Sequence, residues 1–176
     1  MADFLQPDEI IQRLDIHTGM RVADFGAGAG HFAIPIARKV GETGHVSGLD
    51  VQKDMVEILA AKAKAENLLN IDSIWANLEL PGGSKLSENS QDIVLISNTL
   101  FQADDKLAVI KEAFRILKPG GMLTIFEWER QDPPPGPPKN IRIEKRSVKE
   151  WGEQAGLTLA RDIEAGSHHY GLIFKK

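Results

Sequence analysis

Short apolar runs rich in Val, Ile and Leu alternate along this chain with longer stretches in which apolar residues recur every three or four positions. The first pattern fits strands and the second amphipathic helices. Segment 21–25 predicts a strand, and the helix after it carries Phe32, Ile34, Ile36, Ala37 and Val40 and stops at Gly41. A second strand over 45–51 leads into a helix with Met55, Val56, Leu59, Ala60 and Ala63 on one stripe, ended by Asn67. A third strand fits 71–77, and 80–85 is a loop because Pro81, Gly82 and Gly83 break both periods. Segment 92–97 is nearly all apolar, as expected of a central strand covered on both faces. Over 104–117 a helical stripe places Leu107, Ile110, Ala113, Phe114 and Leu117 together, and Lys118-Pro119-Gly120-Gly121 stops it ahead of a fifth strand over 122–128. Proline density makes 132–138 a stiff extended loop. Ser147 and Glu150 have the spacing of a capping box at the start of a short helix ending at Gly156. Segments 157–164 and 169–174 then read as an antiparallel hairpin within a C-terminal unit over 157–175, and 8–14 as a short helix within an N-terminal segment over 1–18. Stacked βα units of this kind predict one doubly wound α/β domain over 1–176, with a mostly parallel seven-stranded sheet, an antiparallel last strand and helices on both faces.

Composition narrows the function classes more than the fold. With 42% hydrophobic and 26% charged residues the chain is ordinary globular material, and its 176 residues suit a single core. A net charge of −4 supplies no field of the sign that draws proteins onto nucleic acid or anionic lipid. The absence of cysteine removes thiolate nucleophiles, disulfides and zinc knuckles, and no metal-binding cluster is spaced along the chain. Neither a leader-like start nor an apolar span of membrane length is present, so the expected location is cytoplasmic.

The most informative segment is Asp24-Phe25-Gly26-Ala27-Gly28-Ala29-Gly30-His31, a strand running into a glycine-rich turn and then a helix. Glycines there let backbone approach a ligand closely, although a tight turn with no ligand has the same composition. Asp50 separates the two readings. It ends the second strand about 20 residues beyond the last glycine, where a carboxylate can accept from both ribose hydroxyls. Dinucleotide folds want a small residue at the place His31 occupies, and Asp24 would repel a diphosphate while attracting an ammonium. The pattern favours S-adenosylmethionine.

Taken with two further motifs, the chain resembles the class I S-adenosylmethionine-dependent methyltransferases, which have a Rossmann-like fold, and specifically the small ubiquinone/menaquinone-biosynthesis-like methylases. The resemblance runs from Gly19 to about Trp128 and rests on Val22 to Gly30, on Gly48-Leu49-Asp50-Val51, and on Ile116-Leu117-Lys118-Pro119-Gly120-Gly121, which with Arg115 ahead of it is similar to the family's R-x-L-K-P-G-G element. It implies that Gly26, Ala27 and Gly28 lie against the cofactor, Asp24 near its amino group and Asp50 on its ribose, with Val51 and Met55 facing adenine. The family's acid after the third strand is replaced by Asn77, beside Leu78, which would turn a charge-assisted contact to the adenine amino group into a neutral one.

Acceptor residues are expected beyond the C-terminal strand ends. Asn98 is placed there, able to touch the cofactor, with Phe101, Glu127 and Trp128 as candidate acceptor contacts and His168, His169 and Tyr170 as candidate catalytic groups. Asn98-Thr99-Leu100-Phe101 has the N-x-x-F spacing of amino-methylating enzymes without their two prolines, and a strand-end Asn with a core Phe is the plainer explanation. The cover over the acceptor is expected from the first helix, Phe4, Leu5 and the proline-rich loop, which suits a small-molecule acceptor. Competing classes are a cofactor-binding regulatory or scaffold protein without turnover, a dinucleotide oxidoreductase, and an RNA or protein methyltransferase, which would want a basic stripe or an added recognition domain. Which atom is methylated, and the oligomeric state, are not legible.

Overall fold

The computed structural model describes residues 5–131 and 136–176. Seven strands form one sheet: β1 (Arg21–Phe25), β2 (His45–Asp50), β3 (Ile71–Trp75), β4 (Gln91–Ser97), β5 (Leu117–Trp128), β6 (Thr158–Glu164) and β7 (His169–Lys175). Their order is β3-β2-β1-β4-β5-β7-β6. β1 to β5 pair in parallel, and β7 inserts antiparallel between β5 and β6. The chain winds outward from β1 to β3, then returns to the other side of β1 with β4. That reversal opens a crevice beyond the C-terminal ends of β1 and β4, where ligands settle in sheets of this kind.

Two layers cover the sheet. Helices α1 (Pro7–Arg13), α2 (Ala33–Val40) and α3 (Lys53–Ala65) pack on one face, with Val22, Val46, Ile93, Leu95 and Phe126 beneath them. Helices α4 (Lys106–Ile116) and α5 (Lys145–Gln154) cover the other, over Phe25, Leu49, Val94, Ile96 and Leu172. β4 is buried on both faces, in accord with its unbroken apolar run. Local signals end the helices where the pattern places the stops. After α3, Asn67 takes a left-handed φ of 55°, and Asn67 and Leu68 donate to the carbonyls of Lys64 and Ala63 in a Schellman closure. Asp105 caps α4 by accepting from the Ala108 amide at 2.9 Å.

Three details depart from the sequence expectations. Ser147 and Glu150 form no capping box: α5 begins at Lys145, behind Glu144, so Ser147 already lies inside the helix. Lys118 to Gly121 belong to β5 rather than to a separate stop, because Gly120 turns at a φ of 82° and lets the strand bulge away from β4 between Gln91 and Ile93. The amide of Gly120 then finds its partner in the Lys176 carbonyl at 2.8 Å. β3 ends at Trp75, which leaves Asn77 and Leu78 in the loop that follows. Of the proline-rich stretch, 132–135 lie outside the described residues, as does Phe4.

Leu59 on α3 sets how closely helix and sheet approach. A Cβ on Gly48 would come within 2.4 Å of one Leu59 methyl, and a Cβ on Gly30 within 2.6 Å of the other. Leu59 is 1% exposed, so its truncation to Ala is expected to cost about 3 kcal/mol. Gly48→Ala overpacks the same spot and should cost about 1–3 kcal/mol. The double variant is expected to fall short of the summed loss by about 1 kcal/mol, since the smaller side chain admits the new methyl. Chemical denaturation checks this; strict additivity would contradict it.

Candidate functional site

The turn after β1 is held by the end of β2. Amides of Gly26 and Ala27 donate to the Leu49 carbonyl at 2.7 and 2.9 Å, and the Gly28 amide donates to Asp50 Oδ2 at 2.9 Å. Asp50 Oδ1 accepts from the Gln52 amide, also at 2.9 Å, so one carboxylate organises both strand ends. Glycine is required at two of these places for different reasons. Gly26, at a φ of 74°, has Thr99 where its Cβ would stand, whereas Gly28, at 50°, has nothing within 4 Å in that direction. A side chain on Gly28 would project into open space that a ligand can use.

That space is a cavity of about 390 Å³, within the range of small-molecule sites. Of the expected cofactor residues, Gly26, Gly28, Asp50, Val51, Met55, Asn77, Leu78 and Asn98 all line it. A second cavity of about 310 Å³ shares Gly26, Gly28, Ser97 and Asn98 with the first and is walled by Asp24, Ala27, Phe32, Leu5 and Pro7. The two meet beyond the ends of β1 and β4. Asn98 stands at the junction in a left-handed conformation, φ 52°, which Asn tolerates better than most residues. Its Oδ1 is buried and has no hydrogen-bond partner. Asn77 Oδ1 already accepts from the Glu79 amide at 3.0 Å, which leaves it one lone pair for a ligand.

Sequence reasoning missed the wall formed by Thr99, Leu100, Gln102 and Ala103. The available signal was their place directly after the fourth strand, at the switch point. A 3-10 turn over Leu100–Gln102 builds this wall, and Glu127 holds it: Oε1 accepts from the amides of Leu100 and Phe101 at 2.8 and 3.3 Å. Glu127 is fully buried and lines neither cavity, so the structure gives it a positioning place rather than the expected acceptor contact. Tyr170 is corrected too. Its hydroxyl donates to the Ile143 carbonyl at 3.1 Å, burial holds its ionisation far above the usual phenol range, and it lines neither cavity. Phe101 packs at the edge of the core under α4, and Trp128, His168 and His169 gather at the far ends of β5 and β7, outside both cavities.

Electrostatically the site is short of positive charge. Burial first, and then the neighbouring Asp50 carboxylate, push Asp24 up to about 7 against the pull of the Ala33 amide. Burial likewise raises Glu127 to about 7, against four backbone amides. No basic side chain among the described residues pairs with Asp24 or Asp50. This arrangement fits a ligand that brings cations and hydroxyls, and it opposes a diphosphate. A carboxyl raised in the folded state keeps its proton where the unfolded chain has released it, so its contribution to stability is lost as pH rises from about 4 to about 7. His169, lowered to about 4, acts with the opposite sign over part of that window, so the comparison is with a variant. Asp24→Asn is expected to gain stability relative to wild type as pH rises through that window, read from thermal melts of the unliganded protein; parallel profiles would contradict the assignment.

With the geometry established, likeness to known proteins becomes interpretable. A demethylmenaquinone methyltransferase of Geobacillus kaustophilus is 35% identical over 121 residues, covering 68% of this chain and 50% of that protein. The chain thus spans about half the length of the relatives it matches. The crystal structure of a SAM-dependent methyltransferase from Aquifex aeolicus superimposes with a TM-score of 0.89 at 26% identity, covering 98% of this chain and 90% of that one. The [4+2]-cyclase SpnF shares the fold at a TM-score of 0.81 and 18% identity, over 97% of this chain and 79% of its own, so the fold alone does not choose the reaction. Residues 5–135 match the ubiE/COQ5 methyltransferase family, and with them both ligand-facing turns, so this chain belongs to that family and its cofactor is S-adenosylmethionine.

Proposed function

We propose that this chain transfers the methyl group of S-adenosylmethionine to a small apolar acceptor, with a quinone-type ring the first candidate, since the relatives are named demethylmenaquinone methyltransferases. The observation that carries the reading is the pair of cavities: one walled by the residues expected around adenosine, the other adjoining it through Gly26, Gly28 and Asn98 and lined by Leu5, Pro7 and Phe32. When bound, the sulfonium supplies an electrophilic methyl group, which leaves the protein mainly the work of alignment.

The residues divide that work. Asp50, already fixed by the Gly28 and Gln52 amides, keeps lone pairs for the ribose hydroxyls. Met55, Val51 and Leu78 offer apolar contact for the adenine, and Asn77 Oδ1 accepts from its amino group. Asp24 faces the amino-acid end, where an ammonium ion converts it to carboxylate. Asn98 Oδ1 takes at the junction the hydrogen bond it lacks inside the protein. The acceptor lies in the second cavity beneath α1, which excludes water from its apolar wall.

Label transfer from methyl-tritiated S-adenosylmethionine to reduced 1,4-naphthoquinone tests the reading. Wild type is expected to label this acceptor or another small ring in a panel, and Asp50→Ala to raise the cofactor KM by about tenfold or more, the scale of one lost charge-assisted contact. Gly28→Leu should abolish turnover while the protein remains folded. Cofactor binding with no label transfer to any acceptor would overturn methyl transfer and leave a binding module.

A further inference from the structure

Of the five histidines in the chain, His31 alone lines either cavity of the crevice. His17 and His45 lie elsewhere, paired with Asp15 and Asp72, and His168 and His169 stand outside both cavities. The glycine-rich turn explains the placement. Gly30 turns at a φ of 86°, and of the two residues after it Phe32 goes inward, stacked on Phe126, while His31 stays exposed at the rim.

The rim has two sides. His31 borders the second cavity on one side and, on the other, an open surface groove of about 400 Å³ between α1, α2 and α3. Pro7 is the other residue that borders both. The groove carries charge from every element around it: Asp8 on α1, Arg38 on α2, Lys62 on α3 and Glu66 just beyond it. Arg38 is held by Glu66, and Lys62 donates to the Ala29 carbonyl at 3.0 Å. His31 is therefore the titratable side chain that stands between the acceptor's cavity and water.

Methyl transfer leaves a proton to be placed. The sulfonium gives up its methyl carbon and the sulfur keeps the bonding pair, so the acceptor supplies both electrons of the new bond. An acceptor activated through a weakly acidic O–H must release that hydrogen as a proton. The second cavity holds two titratable residues, Asp24 and His31. Asp24 accepts from the Ala33 amide, and its other lone pairs meet the cofactor's ammonium ion in the reading above. Histidine exchanges protons near neutral pH and can accept on one ring nitrogen while donating from the other.

We infer that His31 is the general base of the reaction: a ring nitrogen takes the O–H proton of the acceptor inside the second cavity, and the imidazolium returns it to water through the groove. The balance is one methyl group gained by the acceptor, one proton lost from it to His31, and a neutral thioether left on the cofactor. The inference rests on the methyl-transfer reading, and the test separates the two.

The test is label transfer from methyl-tritiated S-adenosylmethionine to reduced 1,4-naphthoquinone by wild type, His31→Ala and His31→Gln, with and without added imidazole. His31 is exposed, so both variants are expected to melt near wild type. His31→Ala should lower kcat about hundredfold while the cofactor KM stays near wild type. Imidazole, which reaches the vacated place through the groove, should restore part of that rate. His31→Gln fills the place without a basic nitrogen, so it should be as slow and should not respond. Near-wild-type kcat in both variants, a loss confined to the cofactor KM, or a loss in His31→Ala that imidazole does not repair would overturn the base. Wild-type protein that transfers no label would instead remove the methyl-transfer reading, and the base with it.

Discussion

The structure depends on the tie between the turn after β1 and the end of β2. Three amides in succession, from Gly26, Ala27 and Gly28, reach back to the Leu49 carbonyl and the Asp50 carboxylate. The tie needs left-handed backbone at Gly26 and Gly28, and it fixes where α2 starts. Because Gly28 has open space where a side chain would stand, the same hydrogen bonds that shape the turn also leave room for a ligand. Local stability and function are here one constraint, set by the Leu49 carbonyl and the Asp50 carboxylate together.

Buried charge gives the site its chemical bias. Asp24 and Asp50 lie near the C-terminal ends of neighbouring strands on the same face, and the low dielectric that excludes water also makes their mutual repulsion strong. A protein gains nothing in stability from such a pair left without a cation. It is intelligible as a site prepared for a ligand with positive charge near one acid and hydroxyls near the other. Glu112, by contrast, is a buried acid fully served: it accepts from Ser84, from the Gly82 amide and from Arg115, and it holds the loop before β4 without any ligand. The contrast between Glu112 and Asp24 separates a structural acid from one that awaits a partner.

Much of this was legible in the sequence because it is written in short-range patterns. The strand and helix periods, the glycines and Asp50 are local signals with one physical meaning each, and all seven strands form, although β3 stops at Trp75 and β5 starts at Leu117. Asn67 at the end of α3 was readable for the same reason. What stayed hidden depends on contacts distant in sequence. That Glu127 would be spent on the amides of Leu100 and Phe101 follows only from β5 lying beside β4, and Tyr170 on Ile143 only from the segment before α5 lying against β7. Ser147 and Glu150 misled because spacing alone does not show which residue turns first. The pairing of Gly120 with Lys176 arises only once the last strand has inserted next to β5.

The central claim is that the crevice at the ends of β1, β2 and β4 is built for an adenosyl amino acid and not for a dinucleotide. Calorimetric titration of the purified protein with S-adenosylmethionine, S-adenosylhomocysteine and NAD tests it most directly. The account predicts one site for each adenosyl ligand, with proton release on binding near neutral pH, and no heat with NAD. Binding of NAD, or no binding of either adenosyl ligand by folded protein, would contradict it.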